Sequence, residues 1–163
     1  MSKLNLIIVV LGFVLISCGG NEKKAKDNFS YKRPPSSKVE SNPEQNTASS
    51  TVDLTNKGIG PIKTLTLPDQ IDTKMVSLGK EVYDKMCTAC HRSDKKFIGP
   101  APKDILKRRT PEWVMNMILN PEEMLKNDPI AKDLLKEYNN TPMINQGLTE
   151  ADARAVLEYF RTL

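Results

Sequence analysis

Apolar positions fall in two blocks along the 163-residue chain, with a long polar stretch between them. The first block is an unbroken-looking run, Leu4 to Ile16, interrupted only by Asn5 and Gly12. The second begins near residue 71 and has a helical period. Met75, Leu78, Val82, Tyr83 and Met86 follow the three-and-four spacing of one buried helix face, and Asp72 is placed to cap that helix. Three times further on, a capping residue precedes a proline: Thr110-Pro111, Asn120-Pro121 and Asp128-Pro129. Proline at the first helical position forfeits only an amide that no helix would use, so each pair predicts a short helix. A last helix opens at Thr149, with Asp152 as its capping-box partner and Val156, Tyr159, Phe160 and Leu163 as its apolar face. No segment alternates as a strand does. The expected fold class is all-α over residues 71–163.

The first block is too short for a comfortable membrane span and has the length of a signal-peptide core behind Lys3. It ends Leu15-Ile16-Ser17-Cys18-Gly19, which resembles the bacterial lipoprotein signal. That resemblance implies cleavage after residue 17 and acylation of Cys18, at about 0.8 kcal/mol of anchoring per buried CH₂. Residues 18–70 then read as a lipid-anchored flexible linker. Pro34-Pro35-Ser36-Ser37 and Ala48-Ser49-Ser50-Thr51 are typical, and the scattered Phe29, Tyr31, Val39 and Val52 share no period. Such a segment buries too little surface to offset its ordering entropy. A disordered tether of ~40 residues has an end-to-end distance of roughly 35 Å.

Composition narrows the chemistry. Aromatic residues are 6% of the chain, so the helical core is short of filler. The net charge of +4 is small and its basic residues are dispersed, which argues against nucleic acid. Locally, residues 92–109 hold seven basic residues against Asp94 and Asp104, a candidate docking surface for acidic partners. Cys18, Cys87 and Cys90 are the three cysteines, and His91 is the one histidine. Cys87-Thr88-Ala89-Cys90-His91 closes the first helix. Two thiols at that spacing reach the two vinyl groups of one haem, and the next residue presents its imidazole to the iron. A structural zinc site would need four ligands, and the chain has no second Cys/His pair to complete one. A thioredoxin-like redox pair would require a βαβ setting, and a plain Cys87–Cys90 disulfide would leave the domain without its filler.

Over residues 72–163 the chain resembles the class I monohaem c-type cytochromes. Leu78-Gly79-Lys80-Glu81-Val82-Tyr83 is similar to that family's first helix, where the glycine and the aromatic meet the last helix. Ile98-Gly99-Pro100 resembles the turn after the haem motif, which implies that the Pro100 carbonyl orients His91. Thr141-Pro142-Met143, ahead of Leu148-Thr149-Glu150, resembles the distal-ligand segment, although Ile144 stands where a second proline is common. The implied fold is a helical domain wrapped around one haem c, covalently bound through Cys87 and Cys90.

With a single histidine, bis-histidine ligation within the chain is excluded, and methionine sulfur is the remaining soft donor. Met75 and Met86 belong to the first helix, and Met115 and Met117 share a packed helix with Trp113 and Ile118. Met124 lies in a short charged helix. Met143 follows a proline in a loop, and the resemblance makes it the sixth ligand. Trp113 is expected to line the haem pocket. Two filled axial positions leave no open site for a substrate, so the expectation is an electron carrier and not an enzyme. The alternative is a haem sensor or haem enzyme with a labile sixth ligand. The lipoprotein-like signal implies an exported protein of the bacterial cell envelope, lipid-anchored and facing the periplasm or another extracytoplasmic side. The family resemblance implies a respiratory setting. It suggests a quinol-oxidising complex as donor, and a terminal oxidase or nitrogen-oxide reductase as acceptor.

Overall fold

The computed structural model describes residues 47–163. The expected signal peptide 1–17, Cys18 and the expected linker up to residue 46 lie outside the described residues. Five α-helices follow one another: α1 (Thr73–Met86), α2 (Pro111–Leu119), α3 (Pro121–Asn127), α4 (Pro129–Glu137) and α5 (Glu150–Phe160). A single 3₁₀ turn, Ile105–Lys107, precedes α2. None of the described helices is long and apolar enough to cross a membrane. The expected all-α architecture is present.

Local chemistry sets the helix starts. The Asp72 carboxylate accepts from the amides of Lys74 and Met75 at 2.9 and 3.1 Å, satisfying two donors that α1 cannot use internally. All three cap–proline pairs open helices. Thr110 Oγ1 accepts from Trp113 N at 3.1 Å, and Asp128 Oδ1 accepts from Ala131 N at 2.9 Å. Asn120 differs: it ends α2 and begins α3, and its side chain does not cap α3. Its amide donates instead to the Ile59 carbonyl at 3.4 Å. Thr149 and Asp152 form the expected reciprocal capping box.

The first and last helices cross at Gly79. A Cβ built there would lie 1.9 Å from the Ala155 carbonyl oxygen, so the two backbones touch where a side chain would stand. Tyr83, one turn on, packs against Tyr159 and Phe160 with ring centroids 5.5 and 5.7 Å away. This contact re-centres the buried face of α1. Gly79 and Tyr83 are its buried residues, whereas Leu78 is 48% exposed, contrary to the expected stripe. On α5 the buried face is carried by Ala153, Ala155, Val156 and Leu157, with Tyr159 and Phe160 only partly covered. Small residues are what so close a crossing requires.

The expected linker does not extend to residue 70. From Thr47 onward the chain is a strap laid over α2 and α4, which moves the start of the ordered domain well ahead of residue 71. The strap has no helical or strand period because polar contacts hold it in place. The buried Asn116 amide accepts from Ile62 N at 2.9 Å and donates to the carbonyls of Ile62 and Lys57 at 2.8 and 2.9 Å. Leu65 N donates to Glu112 at 3.1 Å, and Ile59 N to the Met124 sulfur at 3.0 Å. Asn56 donates to buried Asp128 at 2.7 Å. One apolar side chain, Ile62, enters the core completely.

Candidate functional site

The cysteine motif folds as a tight turn off the end of α1. Cys87 N still donates to Tyr83 O, while Cys90 N and His91 N both return to Cys87 O, at 3.0 and 2.9 Å. Cys87, Cys90 and His91 are thereby gathered at one mouth of a cavity of about 220 Å³. Trp113, Pro100 and Met143 line the same cavity, so all six residues expected at the haem border one space. Cys90 is exposed and Cys87 half-buried. Burial pushes the Cys87 thiol up to about 11, which keeps it protonated and makes it a poor partner for thiol exchange.

His91 is held by the turn that follows it. Gly99 N donates to Cys90 O at 2.8 Å, which folds residues 91–99 back on the motif. That places the Pro100 carbonyl 2.7 Å from His91 Nδ1. A carbonyl can only accept, so Nδ1 carries the proton and Nε2 keeps its lone pair for a metal. Gly99 is required by proximity: a Cβ there would stand 2.5 Å from the imidazole Cε1. The two stacked features fix both tautomer and ring position.

The cavity walls are chiefly apolar, from Val114, Ile118, Leu125, Leu134, Val156 and Phe160. Met86 and Met117 also reach it, so three methionines in all border the space, whereas Met115 and Met124 are buried in the core. Trp113 is a wall residue. Its indole N–H donates to Asp128 at 3.1 Å, the same carboxylate that caps α4 and anchors Asn56 of the strap. Three buried polar atoms on cavity-lining residues have no partner: the Tyr83 hydroxyl and the Nε of Arg108 and Arg109. Desolvation lifts the Tyr83 phenol to about 12, so it stays a hydrogen-bond donor. An apolar slot with two thiols and an imidazole at one side and unpartnered donors at its edge fits haem, whose ring is apolar and whose edge carries two carboxylates. Among the described residues no group of three or more His, Cys, Asp or Glu is placed to hold a metal ion by itself.

The sequence singled out the thioether and axial positions but not Arg108, Arg109, Tyr83 or Ser49, which also border the cavity. Arg109 had been counted with the basic surface of residues 92–109, yet it is 1% exposed.

The cytochrome c family profile matches residues 76–163. The chain belongs to the cytochrome c family. A solved cytochrome c from Rhodothermus marinus is 46% identical, over 63% of this chain and 88% of that one, with a TM-score of 0.61. An engineered form of the same Rhodothermus marinus protein is 45% identical, over 63% and 89%, again at 0.61. The same engineered form, solved bound to a carbene intermediate, is 45% identical, over 63% and 88%, with a TM-score of 0.59. A search of curated proteins returned no match. This cytochrome c carries haem c covalently through Cys87 and Cys90, and it belongs among haem-based electron carriers.

Proposed function

We propose that His91 and Met143 are the axial ligands of this cytochrome c. In this reading Cys18 anchors it to a membrane, and it passes single electrons between respiratory proteins on the extracytoplasmic side. The observation that carries the reading is the 2.7 Å contact from His91 Nδ1 to the Pro100 carbonyl, on a cavity that both thiols and Met143 also line. Haem supplies a one-electron Fe(II)/Fe(III) couple. The chain's part is to fix His91, exclude water with the Trp113 wall, and offer methionine sulfur, which favours the reduced state. Donor and acceptor on this account are a quinol-oxidising complex and a terminal oxidase or nitrogen-oxide reductase.

The cavity mouth suggests how partners dock. Exposed Met86, Ile98 and Ile144 border the cavity, and exposed Lys95, Lys96, Phe97 and Lys103 follow the motif in sequence. An apolar contact patch flanked by lysines suits an acidic partner attracted over a distance set by salt. The test is oxidation of the ferrous protein by an anionic and a cationic metal complex of equal driving force. The anionic reagent is expected to be several-fold faster at low salt, the two converging as salt rises. Equal rates at every ionic strength would remove the docking role of these lysines, and no oxidation within seconds would defeat the carrier reading.

A second reading, distal-side chemistry, is favoured by one observation. The loop after Tyr138 carries few bonds to the rest of the protein. Asn145 Nδ2 to Leu119 O, at 3.3 Å, is the side-chain bond that ties residues 141–148 to another element. An engineered Rhodothermus marinus relative was solved bound to a carbene intermediate. Rapid carbon monoxide binding by the ferrous wild type would favour this reading.

A further inference from the structure

Arg109 is a buried cation with no carboxylate in direct ion-pair contact, Asp53 and Asp128 acting on it only from farther off. It is 1% exposed, and it takes part in none of the ion pairs among the described residues. Its guanidinium is gripped by main-chain oxygens: Nη1 by Thr51 and by Arg108, the latter at 2.9 Å, and Nη2 by Ala48 at 2.6 Å. The plane sits 5.3 Å from the Trp113 ring centroid. Nε is buried and unpartnered, on a residue that lines the haem cavity. A buried charge is costly unless compensated, and carbonyl dipoles compensate it only in part.

Two of those three carbonyls belong to the strap. The strap is itself clamped at that point: Ser49 N and Oγ donate to the two Glu137 oxygens at 2.8 and 2.5 Å. Asp53 N donates to Arg108 O at 2.9 Å, and Thr110 Oγ1 to Asn56 O at 2.6 Å, so the strap also brackets the backbone on both sides of Arg109. These bonds leave the guanidinium no route to water without releasing residues 48–51.

We infer that the segment ahead of the helical domain is a positioning device, residues 48–51 holding the Arg109 charge beside the haem so as to raise its reduction potential. The inference rests on the carrier reading. A fixed positive charge near the iron disfavours the ferric state, which carries one more positive charge than the ferrous state. The unpartnered Nε also suits a haem carboxylate, whose negative charge would otherwise favour ferric iron. Arg109 and its strap carbonyls thus act through electrostatics and do not touch the iron.

The test uses the full haem-bearing chain and reads midpoint potential together with the absorption spectrum. Arg109→Gln is expected to lower the potential while haem stays attached and the methionine–iron band persists. Ser49→Pro changes no charge but removes both bonds to Glu137, and is expected to shift the potential in the same direction by a smaller amount. In the double variant the shifts should fall short of additive, because both act through one guanidinium. An unchanged potential in Arg109→Gln, or strictly additive shifts, would overturn the inference. If Arg109→Gln fails to accumulate, Ser49→Pro decides alone, and an unchanged potential there overturns it equally. A wild-type chain lacking covalent haem would instead defeat the carrier reading itself.

Discussion

Gly79→Ala is expected to destabilise the protein by about 2 kcal/mol or more, although alanine is the better helix former. The two effects oppose each other. Replacing a mid-helix glycine by alanine stabilises by roughly 0.5–1 kcal/mol when the site is free. Here the new methyl would meet the Ala155 carbonyl oxygen at 1.9 Å and the Val156 nitrogen at 2.8 Å, both main-chain atoms that no rotamer change can move. To relieve that overlap α1 must slide off α5, which also parts Tyr83 from Tyr159 and Phe160. Overpacking therefore wins. Chemical denaturation of the haem-bearing protein measures it, and an unchanged or higher midpoint would mean that the helices cross less closely than described.

Met143→Ala is expected to change the iron's ligation. If Met143 sulfur is the sixth ligand, the weak red methionine–iron band vanishes in the variant, the potential falls, and the ferrous protein binds carbon monoxide quickly. The competing donors are poorly placed. Met86 lies next to Cys87 on the same side as the thioethers, and Met117 is fixed on α2 beside the Trp113 wall. Met143 alone of the three sits in a loop, half-buried, after Pro142. Persistence of the band in Met143→Ala would transfer the ligand role to one of the other two.

Much of this was legible in the sequence because it was written in short-range rules. The CxxCH spacing, the cap–proline pairs and the Thr149 capping box each depend on neighbours within a few residues. The Ile98-Gly99-Pro100 turn was readable only through the family resemblance; the structure supplies the reason for its glycine, the nearness of the imidazole. The strap was not legible. Its contacts run from backbone amides and carbonyls to Asn116, Glu112, Thr110 and Arg109, all distant in sequence, so no period of apolar residues marks it. One signal was present: Asn116 stands between Met115 and Met117 in an apolar stretch, and a polar residue there needs buried partners. Leu78 was misplaced for the opposite reason. Its spacing fits the stripe, but Gly79 turns the helix so that the glycine faces α5.

One haem is joined to the chain through Cys87 and Cys90 in the apolar cavity beside His91. The most direct measurement is to express the full chain in a bacterium able to attach haem, denature it in acid, and separate small molecules from polypeptide. Haem absorbance is expected to stay with the polypeptide, one haem per chain, with neither Cys87 nor Cys90 reacting with a thiol reagent. Haem that washes away, or two titratable thiols at Cys87 and Cys90, would contradict the account.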